Sequence, residues 1–263
     1  RGGGGNFGVV TSFLFRIHPV PLMTGGVLIH RIEDAADVLK AWVGMQDGAP
    51  DELTCMPALS ASELVDGRGL LTAVAFIGPT DDARRAIAPL LDAGRPTLNT
   101  VGPAHYSQIQ GLYSYMPFGL RNYWTGRFIE ELPDDVIDFM VEHYASGDGR
   151  AHNTILFEPL HGAASRVDRA ATAFAYRSAR FNVSPLAVWE DPLLDPVEID
   201  WARTARDRLQ HLSAGGYLNY ASEASTDAVA AAFGEEAWDR LRSIKAAWDP
   251  DNLFRFNHNI PPA

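Results

Sequence analysis

A single cysteine, Cys55, stands in the 263 residues of this chain. One thiol makes no internal disulfide and no Cys-rich zinc cage, so a disulfide scaffold and a cysteine-built zinc site are both excluded. Basic residues are scarce too: 22 Lys and Arg face 33 Asp and Glu, a formal net charge of −11. Phosphate backbones and anionic lipid surfaces are bound through a surplus of Lys and Arg, so this balance argues against nucleic acid and membrane as partners. Apolar runs stay short of the roughly 18 residues a membrane span needs. The eight histidines form neither H-x-H nor H-E-x-x-H, so no metal site is expected. A G-x-S-x-G elbow and a G-x-x-x-x-G-K-[ST] loop are also missing, which leaves serine hydrolase and nucleotide-triphosphate readings without an anchor.

What is present is ordinary globular material, 46% hydrophobic and 21% charged, with length for one to two domains. The opening RGGGGNFG lacks an initiator Met and is expected to continue a longer chain. Residues 7–17 alternate apolar side chains at period 2 and predict a strand buried on both sides, ended by Pro19 and Pro21. Further strands are expected over 26–31, 53–61, 70–77, 123–131, 154–160, 171–176, 180–189 and 216–220. Helices are expected over 33–43, 81–91, 133–145 and 197–212. Trp238, Leu241, Ile244 and Trp248 recur at helical spacing in a last helix that Asp249-Pro250 stops. Strands interleaved with helices at these lengths give an α+β class: a mostly antiparallel sheet with helices on one face and the other face free for a ligand.

Gly3-Gly4-Gly5-Asn6-Phe7-Gly8 satisfies G-x-G-x-x-G by position, yet the sequence after it, VVTSFLFRI, reads as a strand. A dinucleotide fingerprint needs a helix there, so that pyrophosphate meets the helix N-terminus. Two readings remain. One is a tight turn. The other is a nest in which residues without Cβ let backbone N–H groups approach an anionic or heteroaromatic ligand, with Asn6 adding a donor and an acceptor.

RGGGGNFGVVTSFLFRIHPV resembles the glycine-rich segment of the berberine bridge enzyme-like FAD-linked oxidoreductases. GGYLNYASE resembles the Y-x-N-Y segment of that family, and WDRLRSIKAAWDPDNLFRFNHNIPP its terminal helix, D-P-x-N-x-F turn and N-x-N-I-x-P close. The stretch between, through NTILFEPLHGAASRV and AYRSARFNVSPLAVW, fits the family's substrate domain more loosely.

The resemblance implies three parts. Residues 1–22 would end an FAD-binding domain whose N-terminal part is missing, 23–214 would form a substrate domain, and 215–263 would return to the flavin. It implies FAD as cofactor, lined by Gly4, Gly5, Asn6, Gly8 and Val10 at one end and by Asn257 and Asn259 at the other. Substrate C–H oxidation would proceed by hydride transfer to flavin N5, with oxygen or another electron acceptor to follow. Tyr217 and Tyr220 are the tyrosines of the Y-x-N-Y motif. On a strand Tyr217 and Asn219 would share a face, which makes Tyr217 the expected proton acceptor and Asn219 an orienter of flavin or substrate. Family members commonly carry Lys, Gln or Glu where this chain has Asn182 and Ser184, the positions expected to touch substrate. Neither acts unaided as a base, so the proton burden moves toward Tyr217 or a residue in the missing half. Pro185 beside them predicts a bulge or a sheet edge.

Tyr113, Tyr115, Met116, Phe118 and Tyr123 are either a wall for a ring-shaped substrate or core. Trp189 and Trp201 read as packing, Arg177 as a surface or ion-paired arginine, and Cys55 as a small buried hydrophobe. The features that attach flavin covalently in many members are expected before Arg1. A rival reading keeps the fold without the chemistry: a redox-inactive module that binds small molecules.

Overall fold

The computed structural model describes residues 2–65, 67–112, 119–147 and 152–263. In chain order the main elements are β1 (Met23–Arg31), α1 (Ala35–Met45), β2 (Leu53–Ser60), β3 (Gly69–Phe76), α2 (Thr80–Ala86), α3 (Ala88–Ala93), β4 (Leu98–Asn99), β5 (Gly102–Ala104), α4 (Tyr106–Gly111), β6 (Arg121–Trp124), β7 (Arg127–Ile129), α5 (Asp134–Ala145), β8 (Thr154–Pro159), β9 (Phe181–Trp189), α6 (Asp195–Arg208), β10 (Ser213–Gly216), α7 (Thr226–Phe233) and α8 (Glu235–Trp248).

The strands form one antiparallel sheet in the order β10-β7-β9-β8-β2-β3-β1-β4, with β5 on β1 and β6 on β9. Alternation decides its two faces. On β2, Leu53, Cys55 and Leu59 are buried against the helices, whereas Met56, Ala58 and Ser60 point to the other side and are only half-buried. The helix-side core gathers Val38, Leu39 and Trp42 of α1, Ile137 and Met140 of α5, and Phe157, Phe181 and Val183 of the sheet. Trp42 is fully buried, its ring meets Phe181 at 5.2 Å and Phe157 at 6.3 Å, and its Nε1 donates to the Cys55 carbonyl at 2.9 Å. The Cys55 thiol is 1% exposed, and burial pushes its pKa up to about 12, so it behaves as a small hydrophobe. The α+β architecture with helices on one face is therefore the one observed.

Several expected elements differ. The strand over 7–17 is not formed. Residues 8–21 form neither helix nor ladder, and Val9, Phe13, Leu14, Phe15 and Ile17 are exposed, Leu14 completely at 101%. Alternation specifies which side chains share a face, but a strand also needs a neighbour to hydrogen-bond, and none lies beside this arm among the described residues. The segment 123–131 divides into β6 and β7, both on the same edge of β9. The register runs unshifted from Trp124 opposite Leu186 to Arg127 opposite Val183, so the bulge expected at Pro185 is not there, and β9 is interior. Proline has no N–H to give, and the ladder breaks opposite it, keeping only the bond from Thr125 N–H to the Pro185 carbonyl at 3.2 Å. Residues 171–176 are a loop after a 3-10 turn, and 81–91 is two short helices that meet at Ile87. Helices α4 and α7 carry weak apolar periods and were not expected.

Truncation of Trp42 removes two ring contacts and a buried hydrogen bond at once. Trp42→Ala is expected to cost about 3–5 kcal/mol of unfolding free energy, read by urea denaturation, with Trp42→Phe costing less.

Candidate active site

The free face of the sheet carries Thr154, Leu156 and Glu158 from β8 and Asn182, Ser184, Leu186 and Val188 from β9, by the same alternation that sends Phe157, Phe181 and Val183 to the helices. Glu158 is the centre of a small network. Its Oε2 accepts from Asn182 Nδ2 at 2.6 Å and its Oε1 from the Tyr220 hydroxyl at 3.1 Å. Burial raises the carboxyl pKa above its usual value, and the two hydrogen bonds pull against that rise. The Trp124 ring stands edge-on to Tyr220 at 5.7 Å.

The Y-x-N-Y segment is not the strand expected over 216–220. β10 stops at Gly216, and Leu218–Tyr220 is a 3-10 turn closed by Tyr220 N–H to the Tyr217 carbonyl. At three residues per turn, positions i and i+3 eclipse, so Tyr217 and Tyr220 pack together with centroids 4.8 Å apart instead of facing opposite ways. Asn219 does not orient the site from a shared strand face; it is exposed, and its Nδ2 donates to the Tyr217 hydroxyl at 3.0 Å. The turn is tied to β6 by Ser222 N–H to the Trp124 carbonyl at 2.9 Å and Trp124 N–H to Ser222 Oγ at 2.8 Å.

Three buried polar atoms beside this network have no partner among the described residues: Asn182 Oδ1, Ser184 Oγ and Trp124 Nε1. Buried polar groups are nearly always satisfied, and each orphan costs free energy until something pairs with it. The register places Gly126 opposite Ser184. A Cβ at Gly126 would stand 2.6 Å from Ser184 Oγ and 3.1 Å from Asn182 Oδ1, so glycine is what leaves these oxygens room.

The two ends of the chain converge nearby. Asn6 Nδ2 donates to the Gly3 and His258 carbonyls, each at 3.0 Å, and its Oδ1 accepts from Ile260 N–H at 2.8 Å. Lys245, fully buried on α8, donates to the Asn6 carbonyl at 2.6 Å, to Asp249 Oδ2 at 2.5 Å and to the Phe254 carbonyl at 2.7 Å. Asp249 also accepts from the Leu253 and Phe254 N–H groups. Burial alone would raise the Asp249 pKa; these bonds and the Lys245 charge overcome it and hold the carboxyl down at about 2.

The amide of Asn6 is thus spent inside the chain, and the loop offers a ligand its backbone. Gly4 and Gly8 sit at φ +62° and +136°, a region that favours glycine, and no atom lies within 4 Å of where a Cβ on Gly5 would be. Gly2 and Gly4 share a groove of about 350 Å³ with Phe128, Tyr217 and Asn219. A second groove, of about 790 Å³, joins Tyr217 and Gly126 to Asn257 and His258. Asn259 Oδ1 is buried and unpartnered. Val10 lies exposed on the extended arm and borders neither groove.

Of the expected aromatic wall, Tyr113, Tyr115, Met116 and Phe118 fall outside the described residues. Tyr123 belongs to the opposite side of the sheet, buried with Ala187, Trp189 and Ala202, because it alternates with Trp124. Trp189 and Trp201 pack as expected. Arg177 braces a loop, donating to the Ala164 carbonyl and Thr172 Oγ1. Glu158, Gly126 and Lys245 were not singled out from sequence. An acidic residue in NTILFEPL that alternates with the core-facing Ile155 and Phe157, and so falls on the free face, is the signal that marks Glu158.

The Asp249 pairing has a definite sign. A depressed carboxylate pKa stabilises the fold above the unfolded value of about 3.8, and that contribution is lost as pH falls through about 2. Hydrogen exchange of residues 2–8 and 254–260 should therefore quicken in that acid window, and Asp249→Asn should show the same loosening at neutral pH.

Residues 216–261 match the family model described as Berberine and berberine like. The FAD-linked oxidoreductase YvdP of Bacillus subtilis is 30% identical over 100% of this chain and 59% of its own length. The crystal structure of 6-hydroxy-D-nicotine oxidase from Arthrobacter nicotinovorans superimposes with TM-score 0.83 at 24% identity, covering 100% of this chain and 60% of that one. Xylooligosaccharide oxidase from Myceliophthora thermophila, with xylobiose, gives TM-score 0.81 at 21% identity, over 100% of this chain and 60% of that one. The chain is similar along its whole length to berberine bridge enzyme-like FAD-linked oxidoreductases, and it spans about three fifths of these relatives.

Proposed function

We propose that this chain carries the substrate domain and the C-terminal flavin contacts of an FAD-linked oxidoreductase that oxidises an alcohol or C–H of a sugar or secondary metabolite. In this reading residues 1–22 and 215–263 pack on the FAD-binding domain, and residues 23–214 cover the substrate. The exposed apolar arm over residues 9–17 supports that division, because such side chains call for a surface to pack on. Oxygen or another electron acceptor would complete the cycle.

The residues suit such a cofactor. Gly4 and Gly5 offer unobstructed backbone, Asn259 Oδ1 and Ser184 Oγ are buried and unpartnered, and Gly126 keeps the space beside Ser184 clear. Backbone at Gly4, Gly5 and Gly8 would hold FAD from one end and Asn257 and Asn259 from the other, while Asn6 keeps the two ends together. Bound FAD supplies the acceptor for a hydride.

The observation that carries the reading is the half-buried carboxylate of Glu158 hydrogen-bonded to the Tyr220 hydroxyl. Oxidation of CH–OH to C=O releases one hydride and one proton. Tyr220 is placed to take the substrate hydroxyl proton on its phenolic oxygen as its own proton passes to Glu158 Oε1. A free phenol, with a pKa near 10, is a poor base at neutral pH, and an adjacent carboxylate removes that handicap. The raised pKa of Glu158 makes it a better proton holder than an exposed carboxylate. This favours Tyr220 over Tyr217, whose hydroxyl accepts from Asn219 and, among the described residues, has no hydrogen bond to a carboxylate. Asn182 fixes the rotamer of Glu158, so its role is positioning.

The rival, a redox-inactive binding module, draws on Asn182 and Ser184, neither of which acts alone as a base. Flavin reduction under anaerobic conditions separates the two. Tyr220→Phe in the FAD-loaded protein is expected to slow reduction by about 10²–10⁴-fold with substrate binding retained, and Tyr217→Phe to do much less. Glu158→Gln should also abolish the acid limb of the pH–rate profile. A full rate in Tyr220→Phe removes the assignment, and a flavin that no alcohol reduces favours the rival.

A further inference from the structure

One row of side chains crosses the free face at right angles to the strands. Leu71 of β3 pairs with Ala58 of β2, Ala58 with Leu156 of β8, and Leu156 with Ser184 of β9. Three strand spacings of about 4.8 Å make this track about 14 Å long. The same antiparallel pairing sets Met56 beside Ala73, and Leu186 continues the surface on β9. All of these but Ser184 line a groove of about 710 Å³ whose wall is mainly hydrocarbon. Trp124 borders it as well, and the same ring stands edge-on to Tyr220. Its Nε1 is buried and unpartnered, as is Ser184 Oγ at the end of the row. Trp124 therefore stands between the groove and the Glu158–Tyr220 network.

From this geometry we infer, resting on the oxidoreductase reading above, that the substrate has a flat apolar body, aromatic or polycyclic, with its oxidisable hydroxyl at one end. The body lies along the row from Leu71 to Leu156, and the hydroxyl reaches Tyr220 past Trp124 and Ser184. An oligosaccharide presents hydroxyls on every ring and would leave them unpaired against this wall, a desolvation loss for each. Asn122, His152, Thr154 and Glu190 supply polar groups to the groove, but the row itself offers only methyl and methylene groups until Ser184. Ala58 and Ala73 matter most for shape: each is a small residue paired with a large one, and a larger side chain at either would fill the floor.

The test compares 2-naphthalenemethanol with xylobiose on the FAD-loaded protein, measuring affinity by isothermal titration under anaerobic conditions and flavin reduction separately. The expected result is that the naphthyl alcohol binds at least about tenfold tighter than xylobiose. Ala58→Phe, which fills the track, should weaken it by about tenfold or more. Should Ala58→Phe not fold, Leu156→Asn, which keeps the branch at Cγ but is polar, should weaken the naphthyl alcohol and spare xylobiose. Tighter binding of xylobiose, or naphthyl binding unmoved by either substitution, overturns the inference. Groove-dependent binding with a flavin that neither compound nor any other alcohol reduces would sink the oxidoreductase reading and leave the apolar subsite standing. Reduction by xylobiose alone would do the reverse.

Discussion

A strand sends alternate side chains to opposite faces, and helices cover only one face of this sheet. Everything distinctive about the molecule follows from that asymmetry. Phe157 and Glu158 are neighbours in sequence, yet one is sealed under α1 and the other reaches across to Tyr220. Phe181 and Asn182 divide in the same way. The helix side holds the hydrophobic core; the opposite side is spared that duty and collects polar groups whose partners are not all found within the chain.

The second constraint is closure of the ends. A buried ammonium must find an acceptor for each of its three protons, because an unsatisfied charge in the interior is strongly destabilising. Lys245 finds them on three different segments: the glycine loop, its own helix and the tail. That requirement draws residue 6 and residue 254 to one point, and Asn6 then zips the loop to His258 and Ile260. The glycines remain free of side-chain duties and present backbone to the neighbouring groove.

Much of this was readable beforehand. Period-2 alternation marked β2, β3, β8 and β9, and helical spacing with a proline stop marked α8. The glycine loop, Y-x-N-Y and N-x-N-I-x-P together pointed to the flavin-linked relatives that the comparisons return. The failures are also instructive. Residues 7–17 have the pattern of a strand but no ladder beside them, since pattern specifies faces and not partners. Pro185 predicts a bulge or a sheet edge, but β9 is interior and unshifted, and a matching interruption between β6 and β7 absorbs the missing donor. The tyrosine motif has strand-like composition and folds as a 3-10 turn, so the facing of Tyr217 and Tyr220 came out reversed.

The sequence by itself determined the class of fold, the covered face of each strand and the segments that gather at the ends, because these depend on local periodicity and on residues a few positions apart. Tertiary structure alone decided that Glu158 meets Tyr220, that Gly126 makes room for Ser184, and that Leu71, Ala58 and Leu156 line up into one track. Those relations join residues far apart in the chain, and strand order and register, which hydrogen-bond pairing sets across the whole sheet, bring them together.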